Sequence, residues 1–252
     1  MGIVSTEGLV LRYADYKETD RVVVLLTPEL GKLTVSVRGV RKPKSRLLAG
    51  AQLFCRANYQ LFKLNEAYSM SQVDLRESFF NIRNDINKFA YATYLMNLTE
   101  EAVLPNEKAQ KIYHLAIDAL TFLANSDINT QDIAHAFEIK LIDILGYRPL
   151  LENCSLCENV CNNQKVNFSI ADGGLVCGNC QPNGIKNQLI QMSTVKTLIH
   201  LLQMDMRRLN VLKVSELVRS ELEVMLPSYL EYVFDKRMKS RKLIEYTNNL
   251  KR

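Results

Sequence analysis

The sequence predicts an α+β chain of more than one domain: a small five-stranded barrel, then helices, with a four-cysteine module inserted among them. Three observations carry this reading. Residues 1–77 break into five short runs rich in β-branched and aromatic residues, bounded by Gly, Pro or polar clusters. From Ser78 the apolar period changes to that of a helix. Finally, Cys154-Ser155-Leu156-Cys157 and Cys177-Gly178-Asn179-Cys180 are separated by nineteen residues.

The strands come first. Residues 8–13 form the first, and 15–20 a polar turn. Residues 21–27 are β-branched and stop at Pro28, and Gly31 completes a turn. Residues 32–38 alternate polar and apolar side chains and stop at Gly39. A longer strand is expected over about 51–64 and a fifth over about 67–75. Five strands with a long connection after the third suit an OB-fold-like Greek-key barrel. A five-stranded SH3-like barrel has the same strand count and stays open.

The helices follow. Phe79, Ile82, Ile86, Phe89 and Met96 share one face of a helix expected over 78–103, broken by Pro105. Ile112, Leu115, Ala119 and Leu123 mark a second. Asn129 or Thr130 caps a third, which ends at Gly146. Ser193 opens a fourth, and a fifth covers about 214–235, where Pro227 is expected to kink or split it. The domains are therefore drawn as a barrel over 1–77 and a helical domain over 78–252, with the cysteine module at about 150–184.

Two Cys-x-x-Cys knuckles at this separation have the spacing of a tetrahedral zinc site. A two-residue gap lets both thiolates of a knuckle reach one ion from a tight turn. Pro149 before the first knuckle, Gly173-Gly174 before the second and Gly178 within it fit that plan. Four sulfurs from Cys154, Cys157, Cys177 and Cys180 leave no open coordination position, so one structural Zn2+ is expected. Cys161 reads as a spare thiol beside the site or as an alternative ligand. A disulfide framework is the rival for the whole cluster, and it suits a short secreted chain better than this one.

The bulk numbers limit the function classes. The chain has 252 residues, 47% apolar and 23% charged, as in an ordinary globular protein. No apolar run reaches the length of a membrane span and the first residues do not read as a secretory signal, so a cytoplasmic protein without membrane contact is expected. Net charge is +5. Lys and Arg outnumber Asp and Glu by 12 to 8 over residues 1–80 and by 7 to 2 over 235–252, but trail 13 to 17 between. That patchiness suggests a polyanion partner.

The connection after the third strand concentrates the charge. Arg38, Arg41, Lys42, Lys44 and Arg46 fall within nine residues, and no acid occurs between Glu29 and Glu66. A charge run can be just a solvated loop. Here Gly39 and Pro43 keep it from forming a helix, and it hangs from a small barrel of the kind that lays single strands across one face. Its cations would meet phosphates and give affinity without reading sequence. Stacking partners would come from Tyr13, Phe54, Tyr59, Phe62 or Tyr68, each also a core candidate. The basic run Asp235-Lys236-Arg237-Met238-Lys239-Ser240-Arg241-Lys242-Leu243 reads equally as a second polyanion contact or as a solvated C-terminal segment.

No enzyme motif emerges. The chain has no phosphate-binding Gly-rich loop, no nucleophile elbow and no His-Glu-x-x-His. His114, His135 and His200 lie far apart in helical patterns. A non-enzymatic binding protein is expected. A hydrolase would need carboxylates converging from scattered positions.

The arrangement resembles the RecO family of bacterial recombination mediators. The matching stretches are Thr6-Glu7-Gly8-Leu9-Val10-Leu11 with Tyr16-Lys17-Glu18-Thr19-Asp20, and Gly31-Lys32 to Val37-Arg38-Gly39-Val40-Arg41. Gly146-Tyr147-Arg148-Pro149-Leu150 before Cys154, Phe168 to Gly174 before Cys177, and Met238-Lys239-Ser240-Arg241 complete the match. The resemblance implies binding of single- and double-stranded DNA, annealing of complementary strands and help in loading recombinase onto coated single strands. It implies two protein partners, a RecR-like ring protein and the acidic C-terminal tail of single-stranded DNA-binding protein, and association with the nucleoid during repair. Phosphate contact is then expected from Arg38, Arg41, Lys42, Lys44 and Arg46, with Lys32 nearby. The alternative is a zinc-stabilised protein–protein adaptor whose contact with nucleic acid is incidental.

Overall fold

The computed structural model describes residues 2–184 and 187–249. Five strands, β1 (Gly2–Tyr16), β2 (Asp20–Thr27), β3 (Gly31–Val37), β4 (Arg56–Leu64) and β5 (Ala67–Glu77), close into a barrel of order β1-β2-β3-β5-β4. β1 is long because it serves two neighbours. Its first half pairs with β4 and its second half with β2, and both ladders are antiparallel. β3 pairs with β5 in parallel, which the long 38–55 connection permits. This is the OB-fold-like arrangement. Alternation fills the interior with Val23, Leu25, Leu33, Val35, Val37, Ala57, Leu61 and Met70. Buried Tyr59 is held there by donating to the Gly50 carbonyl at 2.8 Å.

The fourth strand starts later than the sequence suggests, at Arg56 instead of about residue 51. Ala49–Ala51 forms a 3-10 turn. Phe54 then takes a left-handed conformation, φ +66°, which ends any extended run before Cys55. The first helix also starts later. Phe79, at φ +47°, leads into a 3-10 turn at Phe80–Asn84. α1 (Ile86–Ala102) begins only where the Asp85 carboxylate accepts from the N–H groups of Asn87 (2.8 Å) and Lys88 (3.0 Å). Phe79, Ile82 and Met96 are buried as the apolar period suggests, but Ile86, expected on the same face, is 56% exposed because the 3-10 turn rotates the first turn of α1 out of that register.

α2 (Gln110–Asn125) follows as expected, burying Ile112, Leu115, Ala119 and Leu123. The loop between α1 and α2 clasps the β2–β3 turn. Ala109 N–H donates to the Pro28 carbonyl at 2.9 Å, and Gly31 bridges Pro105. Gly31 sits at φ +63°, and a Cβ there would lie 2.4 Å from the Glu107 carbonyl oxygen and 2.6 Å from that of Leu104. Only glycine fits, on both backbone and steric grounds. Gly31→Ala is expected to lower stability by about 3 kcal/mol, read as an earlier denaturant midpoint with unchanged metal content.

The chain divides into two compact units: residues up to Ser126 with the segment from Ser240 on, and Asp127–Lys239. β5 ends at Glu77, and the first unit also takes in α1, α2 and α6 (Arg241–Asn249). α6 was not anticipated; it packs against α1 and buries Ile244 and Thr247.

The second unit holds α3 (Thr130–Ile144), α4 (Met192–Gln203) and α5 (Glu216–Phe234). Asn129 caps α3, its side chain accepting from Gln131 N–H at 2.9 Å. Gly146, φ +84°, ends that helix with Gly146 N–H on the Asp143 carbonyl and Tyr147 N–H on that of Ile142, both 3.0 Å. Pro149 lies beyond the stop. α5 runs unbroken through Pro227, which is buried; the helix forgoes the one ladder bond that a proline cannot donate. Between α3 and α5 the Arg219 guanidinium grips Asp132 with two bonds of 2.9 and 3.0 Å. The unit is not purely helical. β6 (Lys165–Ser169), β7 (Gly174–Val176) and β8 (Asn187–Gln191) form a small antiparallel sheet of order β7-β6-β8. None of its described helices, nor any in the first unit, is long and apolar enough to cross a membrane.

Candidate nucleic-acid interface and metal centre

The outer wall of β1, β2 and β3 has two halves. Towards the β2–β3 turn, α1 and α2 cover it: Val24 and Leu26 are buried although they point away from the barrel interior. Arg12 donates to the Glu100 carboxylate at 2.8 Å, and the Lys32 ammonium to the Glu100 carbonyl at 2.6 Å. Lys32 is thus committed to α1, at the end of β3 away from the basic loop. Towards the β1–β2 turn the wall is uncovered, and Ala14, Tyr16, Val22, Thr34 and Ser36 are exposed or half-exposed.

The 38–46 loop rises from this open end. Val40 is its buried anchor. The Asp20 carboxylate accepts from Gly39 N–H at 2.8 Å and from the Thr19 hydroxyl at 3.0 Å, and Arg41 N–H donates to the Thr19 carbonyl at 3.0 Å. The Gly39 N–H first, then the Thr19 hydroxyl, hold the Asp20 carboxyl below its usual range. Gly39 itself needs φ +63°. Beyond it the chain folds into consecutive turns, with Lys42 N–H on the Gly39 carbonyl and Ser45 N–H on that of Lys42. Arg38, Arg41, Lys42, Lys44 and Arg46 are all exposed. Arg41 makes a long ion pair of 3.7 Å with Asp15, and the other four have no ion-pair partner among the described residues. These five cations are therefore exposed on one loop, and Lys32 lies at the other end of β3. The basic run 236–242 straddles the division between the units.

The aromatic candidates divide by burial. Phe54, Tyr59 and Tyr68 are core residues. Tyr13 carries the Arg21 guanidinium at 3.6 Å from its ring centroid, and Phe62 is half-buried. Sequence reasoning missed Tyr16, which is 56% exposed at the end of β1. The sequence reading ends the first strand at residue 13 and puts 15–20 in a turn, whereas β1 runs on to Tyr16, past a bulge between Val10 and Arg12 that also resets the alternation.

In the second unit the four expected cysteines converge. The Sγ atoms of Cys154, Cys157, Cys177 and Cys180 all lie within 4.8 Å of one another. Cys157 and Cys177 Sγ are 3.6 Å apart, too far for a disulfide and close to the roughly 3.8 Å edge of a tetrahedron with metal–sulfur bonds of about 2.3 Å. Glu158, at φ +60°, closes the first knuckle, with Cys154 N–H on the Asn159 carbonyl at 2.8 Å and Glu158 N–H on that of Cys154 at 2.9 Å. Asn159 Nδ2 donates to Cys157 Sγ at 3.4 Å, and Cys177 N–H to Cys154 Sγ at 3.3 Å. Burial pushes the Cys154 thiol up, but the N–H groups of Cys177, Leu156 and Cys157 outweigh it and bring the thiol down to about 6. Cys180 is pushed up to about 12, chiefly because its proton is shared with the Cys157 and Cys177 sulfurs. The set can hold one metal ion. Cys161 is buried outside the cluster, its Sγ 4.0 Å from the Asn159 carbonyl.

The glycines around the module differ in purpose. Gly173 takes φ +69°, and a Cβ on Gly174 would lie 2.4 Å from the Leu150 carbonyl oxygen. That close approach permits the pair of bonds between residues 150 and 173–175 that ties β7 to the first knuckle. Gly178, expected at a crowded point, has room instead: its Cβ would meet nothing nearer than Asn163 Nδ2 at 3.7 Å. The four cysteines are the one metal-ligating cluster among the described residues. Of the histidines, His114 and His200 are exposed helix residues, and buried His135 faces Glu223 at 3.2 Å.

Fold and site together define a class: a small barrel carrying a basic loop, joined to a helical unit with a four-sulfur metal module. Residues 1–79 match the family described as Recombination protein O N terminal, and residues 83–242 the one described as Recombination protein O C terminal. The chain is 33% identical over 244 residues to "DNA repair protein RecO" of Moorella thermoacetica, covering 96% of this chain and 91% of that one. It is also 33% identical to the protein of that name from Symbiobacterium thermophilum, covering 97% and 98%, and to that of Alkaliphilus metalliredigens, covering 93% and 95%. The chain belongs to the RecO family.

Proposed function

We propose that this chain is a non-enzymatic DNA repair and recombination mediator. It binds single- and double-stranded DNA, anneals complementary strands and helps load recombinase onto coated single strands, in the bacterial cytoplasm at the nucleoid. The observation that carries this is the 38–46 loop, five exposed cations rooted by Asp20 at the uncovered end of the barrel wall. Two strands are polyanions that repel, so bringing them together needs a surface that neutralises phosphate without choosing a sequence. Family membership supports the same reading. The four cysteines hold one Zn2+ in a structural role, since four thiolates saturate a tetrahedral ion.

Two protein partners belong to this reading: a RecR-like ring protein and the acidic C-terminal tail of single-stranded DNA-binding protein. A groove of about 230 Å3 in the second unit, lined by Pro149, Leu150, Leu151, Ile199 and Leu202 together with Arg148, Glu152 and Asn153, offers apolar side chains and one cation to an acidic peptide with an apolar end, with Glu152 opposing it.

The test is fluorescence-detected annealing of two complementary oligonucleotides across a salt series. Rapid annealing that fades as salt rises is expected. A folded, metal-loaded protein that anneals nothing at low salt would leave the adaptor as the better account.

A further inference from the structure

We propose that the Tyr16 ring is a stacking platform for one unpaired base of a strand whose phosphates lie on the 38–46 loop. The inference rests on the DNA-binding reading above and names a contact that only an unpaired base can make. Tyr16 and Asp20 are direct cross-strand partners, so both side chains lie on the outer face. Continuing the β2–β3 register one step past Arg21 and Val37 sets Arg38 beside Asp20. One row across three strands thus runs from an aromatic ring to the first cation of the loop. The next row, Ala14, Val22 and Ser36, carries only small side chains, which leaves a shallow open floor beside the ring.

The ring is also held in place relative to the loop. The turn that follows Tyr16 is bonded to the loop through the Thr19 carbonyl and the Asp20 carboxylate. Asp15 adds ion pairs to Arg21 at 2.9 Å and Arg41 at 3.7 Å. Asp15 and Asp20 are therefore occupied by protein donors, which leaves Glu18 as the turn's carboxylate with no partner among the described residues. The Lys17 ammonium stands 5.3 Å from the Tyr16 ring centroid, adding a cation at the platform's edge. An exposed tyrosine costs little to order, having two side-chain torsions, and any base offers a face to it. A base within a duplex is already stacked on both sides and cannot use it.

The experiment compares wild type, Tyr16→Ala and Tyr16→Phe on a single strand containing 2-aminopurine and on a duplex of the same length. Tyr16→Ala is expected to bind the single strand about tenfold more weakly, with an unchanged salt slope and unchanged duplex affinity. Tyr16→Phe keeps the ring and is expected to match wild type. Quenching of 2-aminopurine on binding is expected with wild type and Tyr16→Phe and lost with Tyr16→Ala. Wild-type affinity and quenching in Tyr16→Ala would overturn the proposal while leaving the DNA-binding reading intact. Equal weakening on single strand and duplex would overturn it too, since stacking acts on unpaired bases. Failure of wild type to bind either DNA would sink the parent reading and this proposal with it.

Discussion

Reversing two charges of the basic loop, Arg41→Glu with Lys44→Glu, is expected to weaken single-strand binding about 100-fold at low salt and to abolish annealing. Each phosphate contact on a single strand contributes about 0.7 to the slope of log affinity against log salt, so five cations on one strand give a slope near −3.5. Removing two contacts flattens it by about 1.4, which at 0.1 M salt is worth roughly 25-fold. The two new carboxylates repel the same strand and account for the rest. Both side chains are exposed, and Arg41 contributes to the fold only a 3.7 Å surface pair with Asp15. The loop's anchors, Val40, the Gly39 N–H and the Asp20 carboxylate, are untouched, so folding is expected to survive. Lys32→Glu serves as the contrast. Its ammonium is spent on the Glu100 carbonyl, so its reversal is expected to disturb the seat of α1 with a smaller change in the salt slope. A double reversal that binds as wild type at every salt concentration would remove the loop from the interface.

The difference between Lys32 and its neighbours shows where sequence reading stops. The number of barrel strands, the alternation of Leu33, Val35 and Val37, and the cluster of four cysteines were legible because each depends on local spacing; the strand order, which separates an OB-fold-like barrel from an SH3-like one, was not. The destination of Lys32 was not, because it depends on α1, some 68 residues away in the chain. The same holds for Tyr16: its polar neighbours read as a turn, and only pairing with Asp20 on β2 extends β1 to it, past a bulge across which no periodicity carries. The small sheet of the second unit escaped because its strands span three to five residues and draw their stability from the cysteine module and from each other. Phe54 and Phe79 misled in the opposite direction. Both look like members of regular elements, yet each is a buried aromatic in a left-handed turn held by tertiary packing. Gly178 and Gly174 look alike in sequence, and only the approach of Leu150 makes one of them irreplaceable.

That last contrast gives the second large expected effect. Gly174→Val is expected to strip the metal from the protein although all four cysteines remain. A side chain at 174 would lie 2.4 Å from the Leu150 carbonyl oxygen and 2.8 Å from its N, so β7 must move off the segment leading to Cys154. Cys177 follows β7 directly, and its N–H to Cys154 Sγ bond and its 3.6 Å spacing to Cys157 depend on that register. Cys177→Ser is the complementary variant. It keeps the packing but removes one thiolate, and three sulfurs with a hydroxyl bind zinc far more weakly. Both are expected to fall well below one equivalent of zinc by chelator release and to melt about 10 °C lower, the drop that a loss of roughly 3 kcal/mol produces in a unit of this size. Gly178→Ala, at a position with room for a Cβ, is expected to keep its metal. Because four thiolates saturate the ion, the loss should appear as lower stability while the basic loop of the other unit keeps its salt-dependent contact with DNA. A full equivalent of zinc in Cys177→Ser would show a replacement ligand, and Cys161, buried beside the cluster with its thiol pushed up by burial first and the neighbouring cysteines second, is the residue to change next.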